Sequence, residues 1–214
     1  MTVQIDVISD VVCPWCFIGK RRLEDALRRL GADGAVRVVW RPFQLNPWIP
    51  VEGMARAAYI ERKFGTAAEN VYARVARVGD EVGLAFAFDR IARQPNTLAA
   101  HSLIGLAGRE NRQDAMVEAL FRGYFMEGVD LSSLEVLMQL ALRSGIAPDL
   151  AQRCLEDDRE RAAVRQEEQA VRELGVDGVP LFVFNRRLAV SGAQPAQVLL
   201  RAIERAAHQS APAD

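Results

Sequence analysis

The chain is poor in the residues that build disulfide frameworks and metal centres. Its 214 residues include three cysteines and two histidines. Three cysteines are too few for a disulfide-stapled secreted domain and fit a redox enzyme of a reducing compartment. Beyond Cys13 and Cys16, the remaining candidate zinc ligands are Cys154, His101 and His208. No two of these lie at the spacing of a second ligand pair. We therefore expect no metal site.

An excess of charge and a long apolar run are also missing. The 27 basic and 28 acidic residues give a net charge of −1, so nothing favours binding to nucleic acid or to an anionic surface. No apolar run reaches the roughly 18 residues of a membrane span, and the N-terminus lacks the pattern of a secretory signal. We expect a cytoplasmic globular protein with neither a nucleic-acid nor a membrane partner.

The most informative feature present is the tetrapeptide Cys13-Pro14-Trp15-Cys16. The alternating residues 3–8 predict a half-buried strand before it. Pro14 suits the first turn of a helix, and apolar residues at helical spacing continue until Gly31. The sequence therefore places Cys13 at a helix N-terminus, and Cys16 one turn later on the same face.

This arrangement predicts different roles for the two thiols. The positive end of a helix stabilises a thiolate, so Cys13 is expected to be the exposed nucleophile. Cys16 is expected to be less exposed and to resolve a mixed disulfide formed at Cys13. A purely structural disulfide is disfavoured because its loop is too short to stabilise the fold much.

The order of elements predicts an α/β fold with a helical insertion. Residues 36–43 read as a second strand, and the segment 44–53 as an extended connection. Helical signals then dominate, with capping boxes expected at Thr66 and Ser132 and helix ends at Gly65, Gly83 and Gly145. Residues 158–174 predict an exposed charged helix, 181–190 a hairpin, 196–207 a final helix, and the chain after His208 a frayed tail. We expect a discontinuous domain of residues 1–50 and 158–214, with residues 51–157 inserted.

Several motifs in this order give the chain a recognisable pattern. A βαβ unit with Cys-x-x-Cys at its helix, joined to a ββα unit that begins with a Val-Pro step, resembles the thioredoxin fold, and the insertion resembles the DsbA variety. Four stretches sharpen the resemblance to the FrnE-like branch of cytoplasmic DsbA-type thiol–disulfide oxidoreductases. They are residues 9–20, residues 43–47, Asn96-Thr97 with Ala100-His101, and residues 178–184 with Ser191-Gly192-Ala193-Gln194.

The resemblance implies a cis bond before Pro180 and a place for this residue opposite the cysteines. A cis X–Pro bond would bring the backbone of Val179 close to Cys13, where an extended substrate could pair with it. Pro14 and Trp15 are expected to contact substrate, with Trp15 exposed at the helix tip. The alternative for Trp15 is packing against the insertion.

Other candidate residues have simpler alternatives. His101 and Asn96 are candidate substrate-binding residues by the resemblance, whereas a core histidine and a helix-capping asparagine are the plain interpretations. Cys154 is expected to be a buried, inert thiol. The run from Lys20 to Arg22 is expected to be a solvated helix face, or else to attract acidic substrates or the carboxylates of glutathione.

The residues together predict a thiol–disulfide oxidoreductase acting on protein or small-molecule disulfides. No tightly bound cofactor is expected, and glutathione is a candidate co-substrate. The first alternative is a glutathione-dependent enzyme of the 2-hydroxychromene-2-carboxylate isomerase or kappa-class transferase type, which typically carries serine at the position of Cys13. A non-catalytic binding or holdase module is a further alternative. The redox direction, natural substrate, redox potential and oligomeric state are not readable from the sequence.

Overall fold

The computed structural model describes residues 2–31 and 36–209 and has a four-stranded sheet at its centre. The strands are β1 (Val3–Ser9), β2 (Val36–Pro42), β3 (Met54–Ala55), β4 (Arg93–Gln94), β5 (Leu181–Phe184) and β6 (Leu188–Ser191). In the main sheet the order is β2-β1-β5-β6. β1 pairs with β2 in parallel, whereas β1–β5 and β5–β6 are antiparallel. The hairpin predicted near residues 181–190 is confirmed.

One helix follows β1 and another follows β6, and further helices fill the segment between β2 and β5. They are α1 (Pro14–Leu30), α2 (Arg56–Phe64), α3 (Ala68–Asp80), α4 (Leu98–Arg109), α5 (Gln113–Arg122), α6 (Leu134–Arg143), α7 (Pro148–Glu156), α8 (Asp158–Glu173) and α9 (Ala196–His208). A π-helical turn, Gly123–Glu127, follows α5. Helix α9 packs against α1 and the sheet, and α4, α5 and α8 pack against β2.

The start of α1 agrees with the prediction. Cys13 is the N-cap residue, Pro14 occupies the first turn, and Gly31 ends the helix in the left-handed conformation with φ of 65°. Only glycine adopts this conformation readily, which explains why the helix stops there. The sequence therefore determines this βα unit locally.

The half-buried strand predicted for residues 3–8 is wrong in its burial. β1 lies between β2 and β5, and six of its seven residues are buried. The polar residue Asp6 is 7% exposed because Arg41 covers it, donating to its carboxylate at 2.8 Å and also to Glu167 of α8. The polar residue Asp6 in this alternating pattern thus belongs to a buried ion pair and does not mark a face of the strand that is exposed to solvent.

Two capping boxes were placed incorrectly from the sequence. Thr66 lies within a short 3-10 turn, and the N-cap of α3 is Ala67. The N-cap of α6 is Ser133 rather than Ser132, and its hydroxyl accepts from the backbone of Val136 at 3.3 Å. Ser132 and Ser133 are adjacent and carry the same hydroxyl group. The sequence pattern alone therefore could not show which of them is the N-cap residue.

The helical segment and the sheet share one hydrophobic core. Phe17 of α1 stacks on Phe121 of α5, with ring centroids 4.9 Å apart and an interplanar angle of 10°. The same buried cluster contains Ile5 of β1 and Leu120 of α5. All four strands of the main sheet lie within residues 1–50 and 158–214, but the domain boundaries themselves stay a prediction. The tail predicted after His208 lies mostly outside the described residues.

In the described part of the chain, no helix combines the length and the apolar character needed to cross a bilayer.

Candidate active site

Cys13 lies where the end of β1 turns into α1. The backbone of Cys13 donates to the carbonyl of Asp10 at 3.0 Å, closing a turn. The carbonyl of Cys13 then accepts from the amide of Cys16 at 3.0 Å and begins the helix. Pro14 at the first helical position forms this junction without losing a hydrogen bond. Cys13 is therefore held at the positive end of a 17-residue helix.

The Val179–Pro180 loop lies opposite Cys13. The peptide bond between these residues is cis, as the resemblance implied. The thiol of Cys13 donates to the carbonyl of Val179, with Sγ and O 3.7 Å apart. Pairing of Ile8 with Leu181 between β1 and β5 brings the loop to this position. The structure thus joins Cys13 and Val179 across 166 positions of sequence.

Cys13 is less exposed than the sequence suggested. Its relative exposure is 4%, against 1% for Cys16, and both are free thiols. The reason is the Val179 carbonyl, which lies directly against the thiol. Cys13 is more exposed than Cys16, as predicted. The prediction that Cys13 is freely exposed is wrong.

The environment of Cys16 disfavours its thiolate. Burial raises the pKa of the Cys16 thiol well above its ordinary value, and interaction with Cys13 raises it further. Hydrogen bonds from the Ser9 side chain and the Asp10 backbone act in the opposite direction on this pKa. Cys16 is therefore a protonated thiol held behind Cys13.

Trp15 is half-buried rather than exposed at the helix tip. Its ring packs against the hydrophobic core, and the guanidinium of Arg74 in α3 lies 5.9 Å from the ring centroid. The expectation of a free apolar ring is wrong because the helical segment contacts this side of α1. Pro14 is also half-buried.

His101 lies on α4 and is 3% exposed. Its Nε2 atom is 3.4 Å from the Oδ1 atom of Asp10, a fully buried carboxylate. The other oxygen, Oδ2, accepts from the backbone of Leu45 at 2.8 Å. Sequence reasoning missed Asp10 because it was interpreted as the end of a strand. Its position three residues before Cys13 was the available signal.

Asn96 uses its side chain to fix the backbone. Its amide nitrogen donates to the carbonyl of Ile49 at 2.7 Å, and its oxygen accepts from Leu98 at the start of α4 at 3.0 Å. This is the capping interpretation of the residue. The same side chain lines a cleft with Gln44 and Arg165, so its role toward a substrate stays a prediction.

Gly19 allows α1 to approach the Pro180 loop. A Cβ atom at this position would lie 3.1 Å from the ring of Phe182 and 3.2 Å from Cγ of Pro180. Both distances are tighter than ordinary van der Waals contact. The absence of a side chain at Gly19 therefore permits the close approach of the helix that carries the dithiol to the loop opposite it.

The expectation that Lys20, Arg21 and Arg22 form a solvated face is wrong. The side chain of Lys20 is 3% exposed and forms ion pairs with Glu24, with Asp114 at 3.1 Å and with Glu118 at 3.3 Å. Arg21 pairs with Glu118, and Arg22 donates to the carbonyl of Ala193. Helix α5 covers this side of α1 with acidic residues, which local sequence could not reveal.

Cys154 is buried at 4% exposure, as predicted. Burial is the main cause that raises the pKa of its thiol to about 11. Among the described residues, no three His, Cys, Asp or Glu side chains lie close enough to hold a metal ion.

Comparisons with known proteins agree with this geometry. Residues 4–204 match the model of the DSBA-like thioredoxin domain family. The uncharacterized protein YwbO of Bacillus subtilis is 27% identical over 212 residues, which cover 95% of this chain and 96% of YwbO.

Among solved structures, a probable DsbA oxidoreductase of Streptomyces coelicolor superposes with a TM-score of 0.88 and 32% identity, covering 99% of this chain and 93% of that one. A 2-hydroxychromene-2-carboxylate isomerase has a TM-score of 0.75 at 17% identity, covering 96% and 97% of the two chains. The disulfide reductase DsbM of Pseudomonas aeruginosa, solved with GSH, has a TM-score of 0.63 at 18% identity, covering 94% and 99%. The two lower identities establish a common fold only.

The family match spans nearly the whole sequence, and the α/β sheet with its helical segment is the architecture that the resemblance implied. The chain belongs to the DsbA-like thioredoxin-domain family.

Proposed function

We propose that the protein is a thiol–disulfide oxidoreductase in which Cys13 is the nucleophile and Cys16 the resolving thiol. The observation that carries the proposal is the asymmetry of the pair. Cys13 lies at a helix N-terminus and faces the Val179 carbonyl, whereas Cys16 lies behind it with a raised pKa. A helix N-terminus favours the attacking thiolate, and burial keeps the second thiol protonated until it is needed.

The geometry supports an exchange in two steps. The Cys13 thiolate attacks a substrate disulfide, forms a mixed disulfide and releases one substrate thiolate. Cys16 then loses its proton, attacks Sγ of Cys13 and releases the second thiolate, leaving an oxidised Cys13–Cys16 pair. The backbone of Val179, next to Pro180, is placed to pair with an extended substrate segment. With the opposite redox poise the same steps run in reverse.

We propose protein or small-molecule disulfides as substrates, with glutathione as the first co-substrate to test and the cytoplasm as the place of action. DsbM, a cytosolic disulfide reductase whose structure was solved with GSH, supports these choices through its shared fold alone. The motif set favours the FrnE-like branch within the family. No tightly bound cofactor enters the mechanism.

Cysteine variants test the proposal directly. We expect Cys13→Ser to abolish reduction of insulin disulfides, because a serine hydroxyl does not attack a disulfide at neutral pH. Cys16→Ser should trap mixed disulfides through Cys13, visible as adducts by mass spectrometry. Cys154→Ser is the matched control and should retain the wild-type rate. Wild-type exchange rates in both active-site variants would contradict the mechanism, and equilibration with glutathione buffers gives the redox direction.

The alternative is a glutathione-dependent isomerase, favoured by the fold shared with 2-hydroxychromene-2-carboxylate isomerase. Such enzymes typically carry serine where this chain has Cys13, and the complete dithiol here favours redox chemistry. An isomerisation assay with glutathione separates the two, because the isomerase would keep activity in Cys16→Ser. A holdase would suppress client aggregation without reducing insulin.

A further inference from the structure

The outer edge of strand β2 takes no part in the exchange mechanism. β2 lies at one end of the main sheet, and among the described strands β1 alone pairs with it. Successive residues of a strand direct their N–H and carbonyl groups to opposite sides. Phe43, just past the end of β2, donates to the carbonyl of Ser9 in β1 at 3.1 Å. The odd-numbered residues therefore face β1, and the backbone groups of Val36, Val38 and Trp40 face away from the sheet.

Trp40 already has a partner that takes the place of a neighbouring strand. The side-chain amide of Gln113, at the start of α5, accepts from the N–H of Trp40 at 3.0 Å and donates to its carbonyl at 3.1 Å. Gly108 on α4 leaves room for this side chain, because a Cβ atom there would lie 3.1 Å from its nitrogen. The edge of β2 thus accepts an amide partner from outside the sheet.

Val38, the next residue that faces outward, has no such partner. Within residues 2–31 and 36–209, no side chain and no backbone group outside the sheet forms a hydrogen bond with its N–H or carbonyl. Val38 is half-buried and lines an open cleft of about 610 Å³ beside β2. A cleft of this size can hold a short peptide or a small ligand.

The lining of the cleft is rich in arginine. Four arginines from three parts of the fold contribute, namely Arg37 and Arg41 of β2, Arg109 of α4 and Arg186 of the turn between β5 and β6. Arg41 and Arg109 pair with carboxylates of β1 and α8. Arg37 and Arg186 are exposed and form no ion pair with any residue that the structure describes. Two guanidinium groups of the cleft are therefore free to meet an anionic partner.

The acidic side chain in the lining does not neutralise these two arginines. Asp114 accepts from Lys20 of α1 at 3.1 Å and from the indole of Trp40 at 3.3 Å. Its charge is therefore already used in the contact between α1 and α5. The cleft keeps an excess of positive charge, which attracts acidic partners.

The cleft lies at the end of the sheet that is away from the dithiol. Arg37 is in register with Gln4 of β1, and the backbone of Gln4 donates to the side chain of Asn185 at 2.8 Å. This bond holds the turn that carries Arg186 near the start of β2. Cys13 follows the opposite end of β1. The cleft is therefore a second site.

We propose that the edge of β2 binds an extended acidic segment of another protein as an added strand. The segment pairs its backbone with Val38 and continues the row that Gln113 begins at Trp40. Its carboxylates meet Arg37 and Arg186, since the guanidinium fork matches a carboxylate in both shape and charge. The inference goes beyond the proposed function, because no step of thiol exchange involves this site.

A fluorescein-labelled peptide of alternating aspartate and valine, which has no cysteine, tests the site by fluorescence anisotropy. We expect saturable binding to the wild-type protein that weakens steeply between about 0.05 and 0.5 M sodium chloride. Arg37→Glu combined with Arg186→Glu should lower the affinity by about tenfold or more. Arg201→Glu combined with Arg205→Glu, on exposed positions of α9, is the control of equal charge and should bind as wild type does. A peptide with lysine in place of aspartate should not bind.

Val38→Pro tests the backbone pairing separately from the charge. The N–H of Val38 faces away from β1, so proline removes no hydrogen bond of the sheet, and edge strands tolerate it. We expect circular dichroism and insulin reduction to match the wild type, while the peptide affinity falls by about tenfold or more. Val38→Thr keeps the N–H and should retain binding. Hydrogen exchange gives the same information without a substitution, because bound peptide should slow deuterium uptake in residues 36–40.

Three results would overturn the proposal. Unchanged affinity in Val38→Pro, with no protection of residues 36–40, would mean that charge alone binds the peptide and that no strand is added. Equal binding of the aspartate and lysine peptides would exclude a preference for acidic segments. A homodimer that Val38→Pro dissociates would assign the edge to a second copy of this chain. None of these results depends on insulin reduction by the wild type, which tests the proposed function separately.

Discussion

At the scale of single residues, the three cysteines differ in what surrounds each sulfur. Cys13 faces a carbonyl at a helix N-terminus, Cys16 is enclosed behind it, and Cys154 is buried on α7. Burial raises the pKa of the Cys16 thiol well above its ordinary value and that of Cys154 to about 11. Of the three cysteines, only Cys13 lies at a helix N-terminus.

We therefore predict that Cys13 alkylates fastest. Brief treatment with iodoacetamide at pH 6, followed by mass mapping, should label Cys13 before Cys16 or Cys154, because only the thiolate reacts. Unfolding in denaturant is the control and should make the three sites nearly equal. Fastest labelling of Cys154 in the folded protein would contradict the assignment of the nucleophile.

Residues whose environment is local were predictable, and those with distant partners were not. The N-cap position of Cys13 follows from the Pro14 that comes next, and the end of α1 from Gly31. The burial of Lys20 depends on Asp114 of α5, which is 94 positions away. No pattern within one helix could identify that partner.

At the scale of elements, the position of α1 against the Pro180 loop depends on a residue without a side chain. Gly19 has an ordinary helical conformation, so alanine would suit the backbone and improve helix propensity by about 1 kcal/mol. The added methyl group would contact Phe182, which is 0% exposed, and Pro180. A buried ring and a proline ring have little freedom to move, so overpacking should outweigh propensity.

We predict that Gly19→Ala lowers the free energy of unfolding by about 1–2 kcal/mol and slows insulin reduction, because the dithiol moves away from Val179. Urea denaturation and the reduction assay measure the two effects. Gly105→Ala on α4 is the matched control, since a Cβ there meets nothing within 4 Å. The control should be neutral or slightly stabilising, and the same gain in Gly19→Ala would refute the close approach.

At the scale of the whole molecule, two kinds of contact among those that join the helical segment to the sheet and α1 illustrate what holds the parts together. One is the aromatic packing of Phe17 on Phe121. The other is the ion-pair cluster in which Lys20 and Arg21 of α1 meet Asp114 and Glu118 of α5. The order of helices and strands was predictable because each has its own periodicity of apolar residues and its own residues that end it. The shared core was not, since it depends on how distant helices meet.

The cluster should make stability depend on pH in a defined direction. Although desolvation opposes it, pairing with Arg21 and Lys20 holds the pKa of Glu118 below its usual value of 4.5. A carboxylate with a lowered folded-state pKa stabilises the protein above its unfolded pKa. That contribution is lost as the pH falls through the folded pKa.

We predict that Glu118→Gln lowers the free energy of unfolding by about 1–2 kcal/mol at pH 7, a modest loss because Glu24 and Asp114 still neutralise Lys20. The difference from wild type should shrink below pH 4 and vanish once Glu118 is protonated in the folded protein. Urea titrations across this range measure it, with the exposed Glu61→Gln on α2 as a control that should stay within about 0.5 kcal/mol of wild type. A deficit in Glu118→Gln that persists unchanged in acid would mean that the side chain acts through packing, and that charge does not join α1 to α5.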